Sequence, residues 1–207
     1  MHRPIRRRTA VPRLLLALCA ALTGIAAAHE MHQHHEAPPP GAVTVRGLDT
    51  KLVDQDGRAL NLQREVIGSR IVVVDFVYTT CTTVCPLASA IFADLQTQLG
   101  ERVGRDVVLV TITVDPVRDT PQKLKAYAAK FGAGPGWSWM TGSPVAVNEV
   151  LKGLGAYTPD FTQHPQMMLV GDGRSGGWTR FSGLPDPKKL AEHVRRLDQQ
   201  RSARAGG

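Results

Sequence analysis

The sequence predicts an α/β domain on three observations. Residues 71–77 and 107–114 are almost unbroken runs of β-branched and other apolar residues, the composition of central strands covered on both faces. Each run is followed by a proline, Pro86 or Pro121, where the first turn of a helix accepts it without losing a hydrogen bond. Two cysteines, Cys81 and Cys85, fall between the first strand and the first helix.

In chain order, the folded domain is expected over residues 42–200. Leu52-Val53 and Leu60-Asn61-Leu62 flank Asp54-Gln55-Asp56-Gly57, an Asp-Gly turn signal that places a small hairpin at the entrance. After the strand at 71–77, Leu87, Ile91, Leu95 and Leu99 recur every four residues as one helical stripe, which puts Cys85 at that helix's N-terminus. The strand at 107–114 leads to Asp119-Thr120-Pro121, a cap and start for a helix reaching about Phe131. Residues 145–154 read as a short helix, 167–170 as a strand and 178–181 as its hairpin partner. A closing helix follows over 187–199, with a flexible tail at 201–207. Strand, helix, strand, helix, then strand, strand, helix after an inserted segment is the order of a thioredoxin-like fold, here with an N-terminal β-hairpin addition. In such a sheet ligands gather at the carboxyl ends of the parallel strands, the edge that carries Cys81 and Cys85.

A chain of 207 residues buries one substantial core. Its formal charge of +7 is uneven: Arg3, Arg6, Arg7, Arg8 and Arg13 precede residue 29 in a stretch without acids, so the remainder carries +2. A nucleic-acid-binding role loses its support on that division. The same arginines, followed by an apolar run at 14–28 that is shorter than the roughly 20 residues a bilayer span needs, have the layout of a secretory signal. Residues 1–28 are therefore expected to be a cleaved signal peptide, with a retained anchor as the alternative. The protein is expected to be exported, to the periplasm or the outer face of the inner membrane. Cys19 follows Leu18, where a lipoprotein signal would carry a small residue, and reads as a passenger. Residues 29–41 hold His29, His32, His34 and His35 and then Pro38-Pro39-Pro40, a His-rich tail and a Pro-rich linker.

Removing the signal leaves Cys81 and Cys85 as a pair outside the reducing cytosol. A structural crosslink over so short a loop removes little chain entropy, which leaves thiol exchange or metal binding. Thiol-exchange motifs usually have two intervening residues; here Thr82, Thr83 and Val84 make three, letting both sulfurs converge on one ion. A stable site needs a third ligand. His193 lies in the charged closing helix near Arg195 and Arg196 and reads as surface, so His164, just before the strand at 167, is the candidate. Two thiolates and an imidazole suit copper in either oxidation state, Cu(I) or Cu(II), with zinc plus a fourth ligand as an alternative. Asp115 ends a strand on the same edge, where its carboxylate can bond a loop N–H, orient His164 or begin a turn with Pro116. The histidines of the tail either capture copper or form a solvated segment.

From about residue 43 to 197 the chain resembles the Sco/SenC family of copper chaperones for cytochrome c oxidase assembly. The resemblance rests on Cys81-Thr82-Thr83-Val84-Cys85-Pro86, on Val114-Asp115-Pro116-Val117-Arg118-Asp119-Thr120-Pro121, and on the histidine before a strand. It implies copper ligation by Cys81, Cys85 and His164, and places Asp115 at the family's acidic position beside the metal loop. Pro165 departs from it, since many relatives carry serine there; the ring restrains the loop next to His164. The partners implied are a copper donor and the copper-bearing subunit of cytochrome c oxidase, near a membrane surface, and the protein is then not an enzyme in the strict sense. The alternative is a thiol-disulfide reductase using Cys81 and Cys85, for which His164 is dispensable. A peroxidase reading of Thr82-Thr83-Val84-Cys85-Pro86 fails because Tyr78 stands where that family has a proline.

Overall fold

The computed structural model describes residues 39–206. The expected signal peptide at 1–28 and the His-rich tail through residue 38 lie outside the described residues. Eight strands form one sheet: β1 (Gly41–Val43), β2 (Lys51–Asp54), β3 (Ala59–Asn61), β4 (Ile71–Val77), β5 (Val107–Thr113), β6 (Trp137–Thr141), β7 (Met167–Asp172) and β8 (Trp178–Ser182). Four helices pack on it: α1 (Val84–Leu99), α2 (Pro121–Ala129), α3 (Pro144–Leu154) and α4 (Pro187–Ala205). The spatial strand order is β1-β8-β7-β4-β5-β6-β2-β3. β4, β5 and β6 run parallel, and the other neighbouring pairs are antiparallel.

Alternation along the strands divides the core in two. Val73, Leu109, Trp137, Val170 and Phe181 face one side, where they meet Phe92 and Leu95 of α1, Leu124 of α2 and Leu190 and Val194 of α4. Val72, Val74, Val110, Ile112 and Leu169 face the other, under Val147, Val150 and Leu151 of α3 and the helical turn Leu62–Ile67. Both faces of β4 and β5 are therefore buried, as their continuous apolar composition requires. Among the described residues no helix is long and apolar enough to cross a membrane.

Most predicted elements are present, with four differences. β6 lies in the stretch left as an insertion: Trp137 and Trp139 are buried and stack at 5.2 Å, so the alternating indoles mark a strand. The apolar stripe of α1 is rotated. Ala88, Phe92, Leu95 and Leu99 are buried while Leu87 stands exposed and Ile91 only half-buried, because a helix covers a flat sheet with residues three and four apart rather than strictly four. His193 is half-buried, edge-on to Phe181 at 5.3 Å, instead of at the surface. Finally, α4 continues through the expected flexible tail to Ala205.

Arg201 is the reason for the longer helix. Its guanidinium forks onto Asp172 at the end of β7 and donates to the Ser69 carbonyl at 3.0 Å. Burial alone would raise the Asp172 pKa, but Arg201, the Arg174 N–H and the Ser175 hydroxyl outweigh it and hold the carboxyl at about 2. A carboxyl depressed from 3.8 to about 2 contributes stability above pH 4 that is lost as pH falls toward 2, on the order of 2 kcal/mol. Arg201→Gln should cost about that much in urea unfolding at pH 6, with the gap to wild type closing near pH 2. An equal gap at both pH values would mean that the pair carries no such linkage.

Candidate metal centre

Cys81 lies in the loop leaving β4 and Cys85 is the second residue of α1, so strand and helix set their spacing. The Cys81 N–H donates to the Tyr78 carbonyl at 3.1 Å, curling the loop back over the strand end. Thr83, the residue before α1, makes no side-chain cap, and the Cys81 sulfur takes that place by accepting the Cys85 N–H at 3.4 Å. The Thr83 hydroxyl lies 3.9 Å from the same sulfur. Both cysteines are free thiols.

The two sulfurs differ sharply. Burial works to raise the Cys81 pKa, but hydrogen bonds from the Cys85 thiol and N–H, the Thr83 N–H and the Tyr78 side chain outweigh it and bring it to about 6. Burial pushes Cys85 up to about 12, and its bond to Cys81 adds to the rise. The sequence places Cys85 at the helix N-terminus, where the positive end of the dipole favours a thiolate. The structure gives that benefit to Cys81, whose sulfur meets the N-terminal N–H groups from outside while Cys85 points into the core.

The loop carrying Cys81 is held by Asp119, assigned from sequence to helix capping. Thr120 is the cap of α2, accepting from the Lys123 N–H, which frees Asp119 to accept from the N–H and hydroxyl of Thr79 and from the Thr113 hydroxyl at 2.6 Å. The buried Asp119 carboxylate thus ties the end of β5 to the cysteine loop. Adjacent Asp and Thr before a helix proline offer two caps for one vacancy, a signal that one of them serves elsewhere.

Asp115 begins the turn at Pro116, its carbonyl accepting from the N–H groups of Arg118 and Asp119. Its carboxylate pairs with the Arg118 guanidinium at 3.0 Å, so it does not orient His164 directly. His164 is buried at the end of the short turn Phe161–Gln163. Its Nδ1 is buried without a partner, its Nε2 is 3.4 Å from the Gln166 side-chain nitrogen, and burial lowers its pKa. Its ring meets Tyr78 edge-on at 6.2 Å, and Tyr78 also meets Phe161 at 5.1 Å. Tyr78 therefore touches both the His164 ring and the cysteine loop. Among the described residues no three His, Cys, Asp or Glu side chains are gathered closely enough to hold a metal. The structure brings Cys81 and Cys85 together and leaves His164 outside that cluster, in contact with Tyr78 and with an orphaned nitrogen that suits a soft metal ion.

Behind Cys85, a polar row crosses the buried face: Asp75 is opposite Thr111, and Thr111 opposite Trp139. Both Asp75 oxygens, Ser89 Oγ, the Tyr127 hydroxyl and Trp139 Nε1 are buried without hydrogen-bond partners. Burial pushes Asp75 up to about 7; the Thr111 hydroxyl nearby opposes the rise but is engaged by the Trp137 N–H and makes no hydrogen bond of good geometry to the carboxyl. The sequence reading took Asp75 as one residue of a strand; a lone acid inside a β-branched run was its signal.

The SCO1/SenC family model matches residues 45–199. The SCO1 protein homolog of Bacillus subtilis is 35% identical over 91 residues, 43% of this chain and 45% of that protein. The chain spans about half the length of the curated relatives it matches first. A SCO1/SenC family lipoprotein from Bacillus anthracis superposes with a TM-score of 0.64 at 26% identity, over 79% of this chain and 99% of that one. Arabidopsis thaliana ScoI with copper bound gives a TM-score of 0.61 at 26% identity, over 72% and 96%. With the family model covering most of the chain and the same thioredoxin-like sheet carrying the cysteine pair, this protein belongs to the SCO1/SenC family.

Proposed function

We propose that this protein is an exported copper chaperone that binds one copper ion through Cys81, Cys85 and His164 and delivers it to the copper centre of a respiratory oxidase during assembly. The observation that carries the reading is the pairing of a low-pKa sulfur, Cys81, with Cys85 beneath it and with the unpartnered Nδ1 of buried His164, whose ring meets Tyr78. Two thiolates and an imidazole form a soft donor set that favours copper over hard cations. Family membership and the copper-bound relative support the choice of metal, and the arginine-led, apolar N-terminus supports export. The oxidase acceptor follows from the family resemblance. Copper is cargo here, and the loop at 155–166 would supply its third ligand, His164.

Copper stoichiometry and visible absorption test this in the full chain, with His29, His32, His34 and His35 replaced by Ala to silence the tail. One copper per chain with a thiolate-to-copper band is expected, lost in Cys81→Ser and altered in His164→Ala. No copper above background would sink the reading.

The asymmetry of the cysteines favours a second reading as a thiol-disulfide reductase. The Cys81 thiolate would attack an acceptor disulfide, forming a mixed disulfide and releasing one acceptor thiolate. Cys85, as its thiolate, would then attack the Cys81 sulfur, closing the Cys81–Cys85 disulfide and releasing the second thiolate, with two electrons passed to the acceptor. Full exchange activity in His164→Ala without copper binding in wild type would select this reading.

A further inference from the structure

The loop that carries His164 is anchored by surprisingly little. Tyr157 donates its N–H to the Leu151 carbonyl, and the Gln166 carbonyl accepts from Gly183 at 2.7 Å. Between those points, among the described residues, every hydrogen bond of the loop is internal: Thr158 and Thr162 bond Asp160, Gln163 donates to the Asp160 carbonyl, and His164 donates to the Phe161 carbonyl. What ties this segment to the rest of the protein is aromatic. Phe161 packs edge-on against Tyr78 at 5.1 Å, and the Arg118 guanidinium lies over its ring, 5.6 Å from the centroid.

We infer that Arg118 is a positioning residue for His164, holding the histidine loop against the cysteine loop through the ring of Phe161. Arg118 is itself aimed by the 3.0 Å bridge to buried Asp115, on the turn that leaves β5. A long cationic side chain fits this place because its charge can lie over a ring face while an N–H engages a carboxylate. The three residues form a strut from the sheet edge to the loop: Asp115 orients Arg118, Arg118 holds Phe161, and Phe161 accepts the His164 N–H three residues on. Asp115 thereby acts on His164 at two removes. The backbone of the cysteine loop is clamped separately, by Asp119, so Arg118 itself makes no contact with it among the described residues.

This inference rests on His164 being a copper ligand, and the test keeps the two apart. In the metal-free full chain, hydrogen exchange across residues 155–166 should rise about fivefold in Arg118→Gln and in Phe161→Leu, and stay near wild type in Arg118→Lys and Phe161→Tyr. The alkylation rate of Cys81 should change less than about twofold in both Arg118 variants. After loading with Cu(II), nitrogen hyperfine structure from one imidazole in the electron paramagnetic resonance spectrum should weaken in Arg118→Gln and recover in Arg118→Lys. Chelator competition should show copper retention falling about fivefold in step with that signal. Unchanged exchange and hyperfine structure in Arg118→Gln would overturn the inference. So would a parallel change in Cys81 alkylation, which would mark a general structural role. If His164→Ala has the wild-type copper spectrum, the ligand assignment fails instead, and the exchange data still decide whether the strut exists.

Discussion

Relative to Asp75→Val, wild type should lose stability on the order of 3 kcal/mol between pH 5 and pH 8. The Asp75 carboxyl is buried among Thr111, Cys85 and Tyr127 with no partner for either oxygen, and burial raises it from 3.8 to about 7. Between those values the native state keeps a proton that the unfolded chain has released. Unfolding then becomes easier by about 1.4 kcal/mol for each pH unit, with the full loss reached once pH passes 7. Valine has a similar volume, suits a strand and removes the charge; Asp75→Asn removes the charge but leaves a buried amide to satisfy. Urea unfolding across the pH range should show the stability of wild type falling relative to both variants up to pH 7, whatever slope the Cys81 thiolate adds to all three, with Asp75→Asn the less stable of the two variants. Parallel curves for all three would mean that water or a neighbour stabilises the ionised carboxylate.

At pH 7 iodoacetamide should modify Cys81 at least about one hundred times faster than Cys85. With pKa values of about 6 and about 12, Cys81 is mostly thiolate at that pH and Cys85 almost wholly thiol, a ratio of about five decades in nucleophile concentration. The more basic sulfur is the better nucleophile per ion, which returns between two and three decades, and its deeper burial removes some of that again. The Cys81 rate should rise with pH through a midpoint near 6 and then level off. Mass spectrometry of the labelled peptides resolves the two sites. Equal labelling, or a Cys81 midpoint above 8, would remove the asymmetry on which the reductase reading depends.

The strands and helices that create this site were legible in the sequence because burial on both faces leaves a continuous apolar signature. β4 falls where its β-branched run does, and β5 ends one residue short of its run, at Thr113. The cysteine pair at the strand end followed from the same pattern. β6 was illegible because two tryptophans alternating with Ser138 and Met140 look as much like a surface as a strand until the parallel neighbour β5 is in place. The extension of α4 was hidden for a related reason: its polar last turns are held by Arg201 on Asp172, 29 residues away. Within the site, chemistry pointed to Cys81, Cys85 and His164 but not to which sulfur ionises, which depends on the direction Cys85 faces. Nor did it separate the roles of Asp115 and Asp119, four residues apart, one holding an arginine and the other the cysteine loop.

The two outer strands of the sheet, β1 and β3, are three residues long. An open strand edge offers unpaired N–H and C=O groups to any neighbouring chain, and the hazard of edge-to-edge polymerisation grows with its length. Edges this short give a second copy too few backbone bonds to start a fibril. Contact between copies along these flanks therefore finds little backbone to pair with.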